Sequence, residues 1–449
     1  MTMTEHPLRV VVAGGGIAAL ELMLALRALT GPRVEVTLLT AGPLLTPRAM
    51  SVAEPFERGG AQSYEWTQIA RDQHADAVVD KLVAIDTDAR VAHTHDGRRL
   101  RYDVLALATG ARRVEPFTGA LTFGTREDDP ARMRELLAGL IGRGEGDIAF
   151  ALPAPSIWPL PIYELALLSA AELREHGCAA RVRIVTPEEQ PLELFGPAAR
   201  DAVAPMFEAL GIELLAGAQP REVVPGALRL ATGELVAADH VVTLADVVAR
   251  PVPGLPVDRA GFLPVDLHGR VAGVSGVFAA GEATAFPLRQ GGLATQQADA
   301  VAEAIAASCG VDIVPSPFSP VLRGRLLTAG APLYLQARPS GQSLASTHAL
   351  WSPPEKIAGR YLAPYLASAR PSRLGASPLT ERVPVAATRA GAGSDAVALA
   401  RWIAHAEARC ANRMRALQAF EAARALAGDG GDPADDELAR RIAAEVPVS

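Results

Sequence analysis

The apolar positions near the start of the chain follow a strand period and then a helix period. Residues 9–26 are RVVVAGGGIAALELMLAL, in which 10–12 form a β-branched run and 17–26 carry apolar side chains at helical spacing. Glycines at 14–16 separate the two runs. This pattern predicts a buried parallel strand, a tight turn and an apolar helix.

The glycine turn is typical of dinucleotide-binding units. Gly14 and Gly16 supply the first two glycines of the fingerprint, and Ala19 stands where alanine often replaces the third. The N–H groups at the start of the helix, near Ile17 and Ala18, face a pyrophosphate in such units. An ordinary strand-to-helix turn is the alternative, and the turn does not distinguish NAD from FAD.

The second predicted strand, residues 33–39, ends at Thr40. An acidic residue at this place normally holds the ribose hydroxyls of an adenine dinucleotide. A threonine hydroxyl still hydrogen-bonds a ribose, but it cannot form the bidentate contact of a carboxylate. The substitution weakens the case for NAD more than the case for FAD.

A second strand–helix–strand unit follows at 147–152, 162–176 and 181–185. The connection at 153–161 contains four prolines and no glycine. Proline has no N–H to donate to a phosphate, and its ring blocks the approach of a pyrophosphate. We therefore expect a unit with the layout of a nucleotide site but without its chemistry.

The C-terminal region contains a Pro/Ser-rich stretch at 370–384, then a helical pattern at 395–427 and an acidic tail. The pattern predicts one long helix, whose apolar stripe comprises Leu399, Ile403, Ala406, Cys410, Leu417 and Phe420. Four arginines lie opposite the stripe: Arg401, Arg409, Arg413 and Arg415. We expect the helix to pack on its own domain or on a homodimer partner, with contact to an anionic membrane surface as the alternative.

Composition sets limits on the class of protein. The 449 residues are too many for one core, and a hydrophobic content of 49% is ample for two or three domains. A net charge of −7 argues against a nucleic-acid partner. We expect a cytoplasmic protein, because no apolar run is long enough for a signal peptide or a membrane span. Three scattered cysteines, Cys178, Cys309 and Cys410, indicate structural thiols and neither a disulfide framework nor a metal site.

Three separated motifs occur in the order found in one family of flavoproteins. They are the glycines at 14–16, Ala-Thr-Gly at 108–110 and GVFAAGEAT at 276–284. Together they resemble the two-dinucleotide-binding-domain FAD oxidoreductases. The segment 285–306 and the proline-rich turn are most similar to the sulfide:quinone oxidoreductase and flavocytochrome c sulfide dehydrogenase group. The resemblance covers about residues 8–365 and implies bound FAD.

The resemblance implies an α/β fold with two Rossmann-like dinucleotide-binding domains and a C-terminal α+β region. We predict a discontinuous FAD-binding domain at 1–128 and 247–312. A second, NAD-type domain without the glycine turn follows at 129–246, and the C-terminal region occupies 313–449.

The implied FAD site brings the three motifs together. Glu282, where the family usually has Asp, would accept a hydrogen bond from a ribityl hydroxyl. The helix that begins at Gly291 would direct its N–H groups at the flavin N1/O2 edge and stabilise the reduced anion. The predicted cofactor-binding residues are Gly14, Gly16, Ile17, Ala18, Ala19, Thr40, Thr109, Gly110, Gly281, Glu282, Gly291, Gly292 and Leu293.

Departures from the family limit the predicted chemistry. Sulfide:quinone oxidoreductases carry two cysteines beside the flavin, but the corresponding segments here are Ser-Ile-Trp at 156–158 and Leu-Leu-Thr-Ala-Gly at 326–330. Oxidation of sulfide by the thiol route is therefore not expected. The segment 289–297 resembles a quinone-proximal helix start, and Gln297 contacts either a quinone or the backbone.

The sequence thus predicts an FAD-dependent oxidoreductase that passes two electrons from an unidentified small-molecule donor to an acceptor, with a quinone as candidate. It assigns no catalytic acid, base or nucleophile. A non-catalytic FAD-binding structural or regulatory protein is the first alternative, and an NAD(P)H:acceptor oxidoreductase is the second.

Overall fold

The computed structural model describes residues 6–369, 392–428 and 432–444. The Pro/Ser-rich stretch at 370–384 lies outside the described residues. The strands, in chain order, are β1 (Leu8–Ala13), β2 (Val34–Thr40), β3 (Leu44–Leu45), β4 (Tyr64–Glu65), β5 (Asp76–Val79), β6 (Leu82–Asp86), β7 (Val91–Thr94), β8 (Arg99–Arg101), β9 (Val104–Leu107), β10 (Arg112–Val114), β11 (Leu121–Phe123), β12 (Asp147–Ala151), β13 (Arg181–Val185), β14 (Glu213–Leu215), β15 (Pro220–Val224), β16 (Ala227–Leu230), β17 (Leu235–Ala237), β18 (His240–Leu244), β19 (Asp246–Val248), β20 (Val277–Ala279), β21 (Leu322–Leu326), β22 (Leu333–Ala337) and β23 (Ser343–Ser346).

The α-helices in these ranges are α1 (Ile17–Thr30), α2 (Trp66–Asp72), α3 (Asp129–Arg143), α4 (Leu160–Glu175), α5 (Pro197–Leu210), α6 (Gly291–Ser308), α7 (Leu362–Ala369), α8 (Ala392–Arg409), α9 (Arg413–Ala427) and α10 (Pro433–Ala444). Short 3₁₀ helices occur at Gly31–Arg33, Arg48–Phe56, Glu193–Phe195 and Gly281–Ala283.

The first sheet is parallel and has the strand order β20-β9-β1-β2-β5. Its central strand β1 is buried from Val10 to Ala13 because packing covers both faces. Helix α1 is apolar on nearly all sides, since it lies between this sheet and α6. Strand β20 comes much later in the chain than the other four strands. Its place in the sheet brings Gly281 close to the glycine turn that follows β1.

The second sheet is also parallel, with the order β11-β18-β12-β13-β14. Helices α3, α4 and α5 contribute to the core that covers it. Strand β11 belongs to this sheet, although the predicted boundary at 128 assigned its residues to the first domain. The sheets together confirm the predicted α/β fold with two Rossmann-like units.

Three small antiparallel sheets, β6-β7-β8, β15-β16-β17 and β21-β22-β23, surround the parallel ones. Strands β10 and β19 form an antiparallel pair between the two units of the fold. Strands β3 and β4 form another short pair. In this arrangement the carboxyl ends of both parallel sheets border one cleft.

The predicted single helix at 395–427 is wrong. The chain forms two packed helices, α8 and α9, with a break at 410–412. Ala411 has a φ of 55°, which is left-handed backbone that a continuous helix cannot contain. The Asn412 amide donates to Glu407 Oε2 at 2.7 Å, and its N–H donates to the Glu407 carbonyl at 2.9 Å, so side chain and backbone both stabilise the turn.

The apolar side of this helical hairpin, which we define as α8 and α9, packs on the second unit. Its members Leu399, Ile403, Leu417 and Phe420 belong to the same core as the second sheet. The opposite face also forms ion pairs within the chain. Arg401, for example, pairs with Asp435 at 2.6 Å. Within residues 6–369, 392–428 and 432–444, no helix is long and apolar enough to span a membrane.

Candidate functional site

A cleft of about 610 Å³ lies between the two units. In the first unit, residues that follow β1, β9 and β20 line it, and in the second unit residues that follow β11, β12 and β18. Carboxyl ends of parallel strands are the usual place for ligands in α/β proteins. The cleft is therefore the candidate site.

The three glycines of the first turn have different roles. Gly14 has a φ of +152°, and a Cβ added to it would lie 2.1 Å from the Ala108 carbonyl oxygen. Glycine at 14 therefore allows the ends of β1 and β9 to approach each other. Gly16 has an ordinary φ of −117°, and a Cβ there would meet no protein atom within 4 Å. Because Gly16 also lines the cleft, its missing side chain leaves space for a ligand.

Thr40 does not line the cleft, contrary to the prediction that it faces a ribose. It is 1% exposed, and its hydroxyl donates to the Gly42 carbonyl at 3.0 Å. A Cβ added to Gly15 would lie 2.3 Å from Thr40 Oγ1. The hydroxyl thus stabilises the local turn and packs under the glycine loop.

Most of the other predicted residues in the first two motifs border the cleft. Ile17, Ala18 and Gly110 line it together with Gly16. Ala19 is fully buried in the core between α1 and its neighbours, which fits its predicted role in close helix–strand packing. Gly14 and Thr109 are not among the lining residues.

Gly281 and Glu282 lie at the end of β20 and border the cleft, as the resemblance implies. Gly281 has a φ of +76°, and an added Cβ would lie 3.2 Å from Ala18 Cβ. Its N–H donates to Gln297 Oε1 at 2.7 Å, so the glutamine contacts the backbone and has little exposure. The Glu282 carboxylate accepts a hydrogen bond from Arg113 at 3.2 Å.

The start of α6 differs from the prediction in one respect. The Gln290 side chain caps the helix, because its Oε1 accepts the Leu293 N–H at 2.6 Å. Leu293 is 1% exposed and does not line the cleft, so its N–H is not free for a ligand. Gly291 does line the cleft, whereas Gly292 is buried behind it.

In the second unit, the Glu407 carboxylate lies beside the connection between β12 and α4. The Ser156 N–H donates to Glu407 Oε1 at 2.8 Å, and Glu407 is fully buried. Arg415 donates to Ser156 Oγ at 2.9 Å and also pairs with Asp246. In nucleotide-binding units, backbone N–H groups of this connection bind phosphate oxygens instead.

The hairpin contacts the carboxyl ends of three strands in the second sheet. Ser156 follows β12, and Asp246 follows β18. After β13, Glu189 and Glu193 pair with Arg409 of α8 at 3.1 Å and 3.4 Å. These are the positions at which a dinucleotide lies in a Rossmann unit. The hairpin therefore covers the second nucleotide crevice.

Glu188, one of the acidic residues after β13, also points away from that crevice. Glu188 accepts a hydrogen bond from the Tyr163 hydroxyl at 2.6 Å and one from Thr186 at 3.0 Å. Burial raises the pKa of Glu188 to about 7, and the hydrogen bonds from Tyr163 and Thr186 oppose that rise. Glu188 is thus part of the core and is not available to a ribose.

One buried ion pair borders the cleft. Lys356 Nζ lies 2.7 Å from Glu164 Oε2, with side-chain exposures of 9% and 0%. Glu164 also accepts the Leu327 N–H at 2.9 Å. Burial raises the pKa of Glu164 and lowers the pKa of Lys356, while their attraction opposes both shifts.

Cysteine is absent from the described residues that line the cleft. Cys178 donates to the Leu140 carbonyl at 3.4 Å, and Cys309 donates to the Ala306 carbonyl at 3.2 Å. Burial raises the pKa of Cys410 to about 11, which disfavours the thiolate. No thiol is therefore positioned for chemistry in the cleft.

Comparison with known proteins supports the predicted resemblance. Residues 165–306 match the family model of the pyridine nucleotide-disulphide oxidoreductases. An NADH dehydrogenase-like protein of Mycobacterium tuberculosis is 34% identical over 224 residues, which are 46% of this chain and 55% of the relative. The sulfide-quinone reductase of Aquifex aeolicus is 26% identical over 238 residues, 50% of this chain and 53% of the relative. The matched segment spans about half the length of these relatives.

Solved structures show the same fold at low identity. The sulfide:quinone oxidoreductase from Aquifex aeolicus has a TM-score of 0.65 at 20% identity, covering 73% of this chain and 83% of that chain. The ferredoxin reductase of the CYP199A2 system from Rhodopseudomonas palustris has a TM-score of 0.55 at 18% identity, covering 73% and 81%. The similarity to the sulfide:quinone oxidoreductase group, predicted from the motifs, is confirmed, and the solved structures show that the fold is shared.

Proposed function

We propose that the chain is an FAD-dependent oxidoreductase whose electron donor is neither NAD(P)H nor sulfide captured by a thiol. The observation that carries the proposal is the contrast within the cleft. The first unit leaves open space at its glycine turn, since a Cβ at Gly16 would meet no protein atom. The second unit has its own hairpin across the equivalent crevice.

The residues of the first unit fit FAD. Gly16 would admit the pyrophosphate to the N-terminus of α1, where N–H groups and the helix dipole favour negative charge. Glu282 would accept a hydrogen bond from a ribityl hydroxyl. Gly291, at the start of α6, would direct its backbone at the pyrimidine edge and favour negative charge there. In this proposal Thr40 and Leu293 contribute to packing and make no direct contact with the cofactor.

The second unit argues against a nicotinamide donor. Its connection has prolines in place of glycines, and the Ser156 N–H is occupied by the Glu407 carboxylate. Glu188 is used by Tyr163 and Thr186 within the core. A nucleotide would have to displace these contacts without gaining the usual phosphate-binding turn.

Bound FAD would supply two-electron transfer between a donor and an acceptor, with a quinone as the candidate acceptor. Lys356 borders the cleft and is held by Glu164, so its ammonium group can supply a proton at Nζ to a reduced acceptor. Burial lowers the pKa of Lys356, which makes that proton easier to release.

Flavin reduction tests the proposal. The full chain is purified, its flavin content is measured by absorbance, and reduction is followed anaerobically with NADH, NADPH, sulfide and a reduced quinol. We expect one FAD per chain, no reduction by NADH or NADPH, and slow or absent reduction by sulfide. Protein that neither contains nor takes up FAD would contradict the proposal.

Two alternatives give different results. An NAD(P)H:acceptor oxidoreductase would be reduced rapidly by one of the nicotinamides. A non-catalytic FAD-binding protein would bind FAD but remain oxidised with the quinol and with a broad panel of organic donors. The non-catalytic alternative is favoured by the absence of thiols from the described lining of the cleft.

A further inference from the structure

An acidic side chain lies inside the core of the first unit. Glu21 belongs to α1, whose neighbours in this core are apolar residues of the first sheet and of α6. The side chain is fully buried. Its two carboxylate oxygens accept the N–H groups of Tyr361 and Leu362 at 2.8 Å and 2.6 Å. Because these donors stand at the start of α7, Glu21 anchors the N-terminus of that helix from a distant part of the chain.

A second carboxyl group contacts the first. Asp299 of α6 is in hydrogen-bond contact with Glu21, and α6 packs along α1. In the described part of the chain, no N–H group donates to Asp299 Oδ1, although this oxygen is buried. Two carboxyl groups form a hydrogen bond only when one of them holds a proton. Since both oxygens of Glu21 already accept N–H groups, Glu21 is the carboxylate and Asp299 is the protonated acid.

The charged and titratable groups that face the pair come from α6 and from the chain before α7. Burial and the charge of Glu21 raise the pKa of Asp299 well above its usual value, and Glu303 of α6 acts in the same direction. Arg360 opposes the rise, but its guanidinium group also lies 3.3 Å from Glu303. Burial raises the pKa of Tyr361 as well, so this phenol stays neutral. The surroundings therefore favour one negative charge on the pair over two.

The segment that Glu21 anchors also forms part of the cleft wall. Residues 353–361, which we call the strap, lie between β23 and α7. Lys356 and Ile357 of the strap line the cleft, and Lys356 pairs with Glu164. A Cβ added to Gly291 would lie 3.4 Å from Ile357 Cδ1. The strap therefore packs against the start of α6, which the proposed FAD site uses.

The strap backbone also approaches the acidic pair closely. A Cβ added to Gly359 would lie 2.6 Å from Glu21 Oε2 and 3.1 Å from Thr295 Cγ2 of α6. Glycine at this position lets the strap pass directly over the carboxylate before it enters α7. A change in the charge of the pair therefore acts on the strap at contact distance.

We propose that Glu21 and Asp299 are positioning residues that hold the strap against the flavin site while they share one proton, and release it when that proton is lost. The proposal rests on the FAD site proposed above, because the strap lines that site. With one proton, the N–H groups of α7 and Arg360 match the single negative charge. As the pH rises through the pKa of Asp299 in the folded protein, a second buried negative charge appears, and dissociation of Glu21 from α7 relieves the repulsion. Ile357 then no longer packs on Gly291.

Amide hydrogen exchange tests the anchor directly. Protection of peptides that contain Tyr361 and Leu362 is measured by mass spectrometry, with correction for the intrinsic effect of pH on exchange. Between about pH 6 and about pH 9 we expect protection in the wild-type protein to fall at least about tenfold. Asp299→Asn should show no such fall, because its carboxamide donates to Glu21 at every pH. Constant wild-type protection would overturn the proposal, as would the same fall in both proteins.

Two further variants separate the shared proton from simple anchoring. Glu21→Gln has one acceptor oxygen in place of two, so protection should be low over the whole pH range. Asp72→Asn is the matched control, because Asp72 is an exposed acid that accepts the Tyr365 hydroxyl of the same helix at 3.0 Å. It should keep the pH dependence of the wild-type protein. Glu188 titrates in all four proteins, so differences between them do not arise from it.

FAD affinity connects the strap to the flavin site. Over the same pH range, the dissociation constant of FAD should rise at least about threefold more for the wild-type protein than for Asp299→Asn. Equal pH dependence of FAD affinity in the two proteins would overturn the proposed control of the site. Failure of the oxidoreductase function is distinguishable, because it appears as absent FAD binding in both proteins. Amide protection would still be measured in the FAD-free chain.

Discussion

The two parallel sheets have the same strand layout but differ in what lies at their carboxyl ends. In the first unit, small residues keep the space beyond β1 open, and a Cβ added to Gly16 at its border would meet no protein atom within 4 Å. In the second unit, α8 and α9 bring Glu407 and Arg415 to the equivalent connection. The comparison teaches that the Rossmann layout alone does not make a nucleotide site, because the turn and its surroundings decide what can bind.

The largest effect is expected from Gly16→Val. The branched side chain would fill the phosphate approach and abolish FAD binding, whereas the stability of the FAD-free protein should change by no more than about 0.5 kcal/mol, since the backbone is ordinary and the space is empty. Flavin stoichiometry and urea denaturation measure the two effects. A variant that keeps one FAD per chain would contradict the assigned site.

Gly14→Ala is the matched control for that substitution. The added Cβ would overlap the Ala108 carbonyl, so the free energy of unfolding should fall by about 3 kcal/mol or more even without cofactor. Full stability of the FAD-free Gly14→Ala protein would show that the β1–β9 approach is not as close as described.

Next in size is Glu407→Ala, which changes the second unit alone. It leaves the partly buried Ser156 N–H and the Asn412 amide without their acceptor, and the free energy of unfolding should fall by about 2–4 kcal/mol. Urea denaturation measures the loss, with Glu421→Gln on the same hairpin as a partly exposed control. We expect no NADH binding by the variant, because the proline turn remains. NADH binding would show that the hairpin alone excludes the nucleotide.

A pH-dependent effect is expected from Glu188. Its pKa of about 7 in the folded protein exceeds the value of about 4.5 for the unfolded chain, so folding favours the protonated form. The contribution to stability is fully present below pH 4.5, declines as the pH rises, and is lost above about pH 7. Relative to Glu188→Gln, the wild-type protein should lose roughly 2–3 kcal/mol between pH 5 and pH 8. Parallel stability curves for the two proteins would contradict this origin.

The smallest effect is expected from Thr40→Val. Loss of the hydrogen bond to Gly42 should lower the free energy of unfolding by about 1 kcal/mol. FAD affinity should change less than about twofold, because the hydroxyl does not face the cleft. Titration of the FAD-free protein with FAD measures this, and a tenfold loss of affinity would restore the ribose contact inferred from the sequence.

Local patterns were sufficient to predict the first unit. The glycines at 14–16 and the motif that contains Gly281 lie at strand ends, where backbone sterics restrict the residue type, so sequence spacing carries the information. The hydrogen bond from Thr40 to Gly42 was not predicted, because spacing identifies the strand end but not the direction of a hydroxyl. The hydrogen bond from the Leu293 N–H to Gln290 was also missed, because glutamine is not among the residues that usually cap the start of a helix.

The second unit could be predicted only in part. The proline turn indicated a lost nucleotide site, but nothing in that segment indicates that Glu407 supplies the acceptor from 251 positions away. The break at Ala411 was missed because alanine is the strongest helix former, whereas the turn is stabilised by contacts such as the one between Asn412 and Glu407.

The contact between Ser156 and Glu407 also has a consequence for biosynthesis. The second sheet is complete once β18 has been made, but the hairpin that packs on its core is translated later. Until then, the apolar surface that the hairpin covers and the Ser156 N–H are exposed to water on the nascent chain. A ribosome that stalls before residue 392 would release a polypeptide with that surface exposed, and we expect chaperone binding or aggregation to distinguish it from the finished protein.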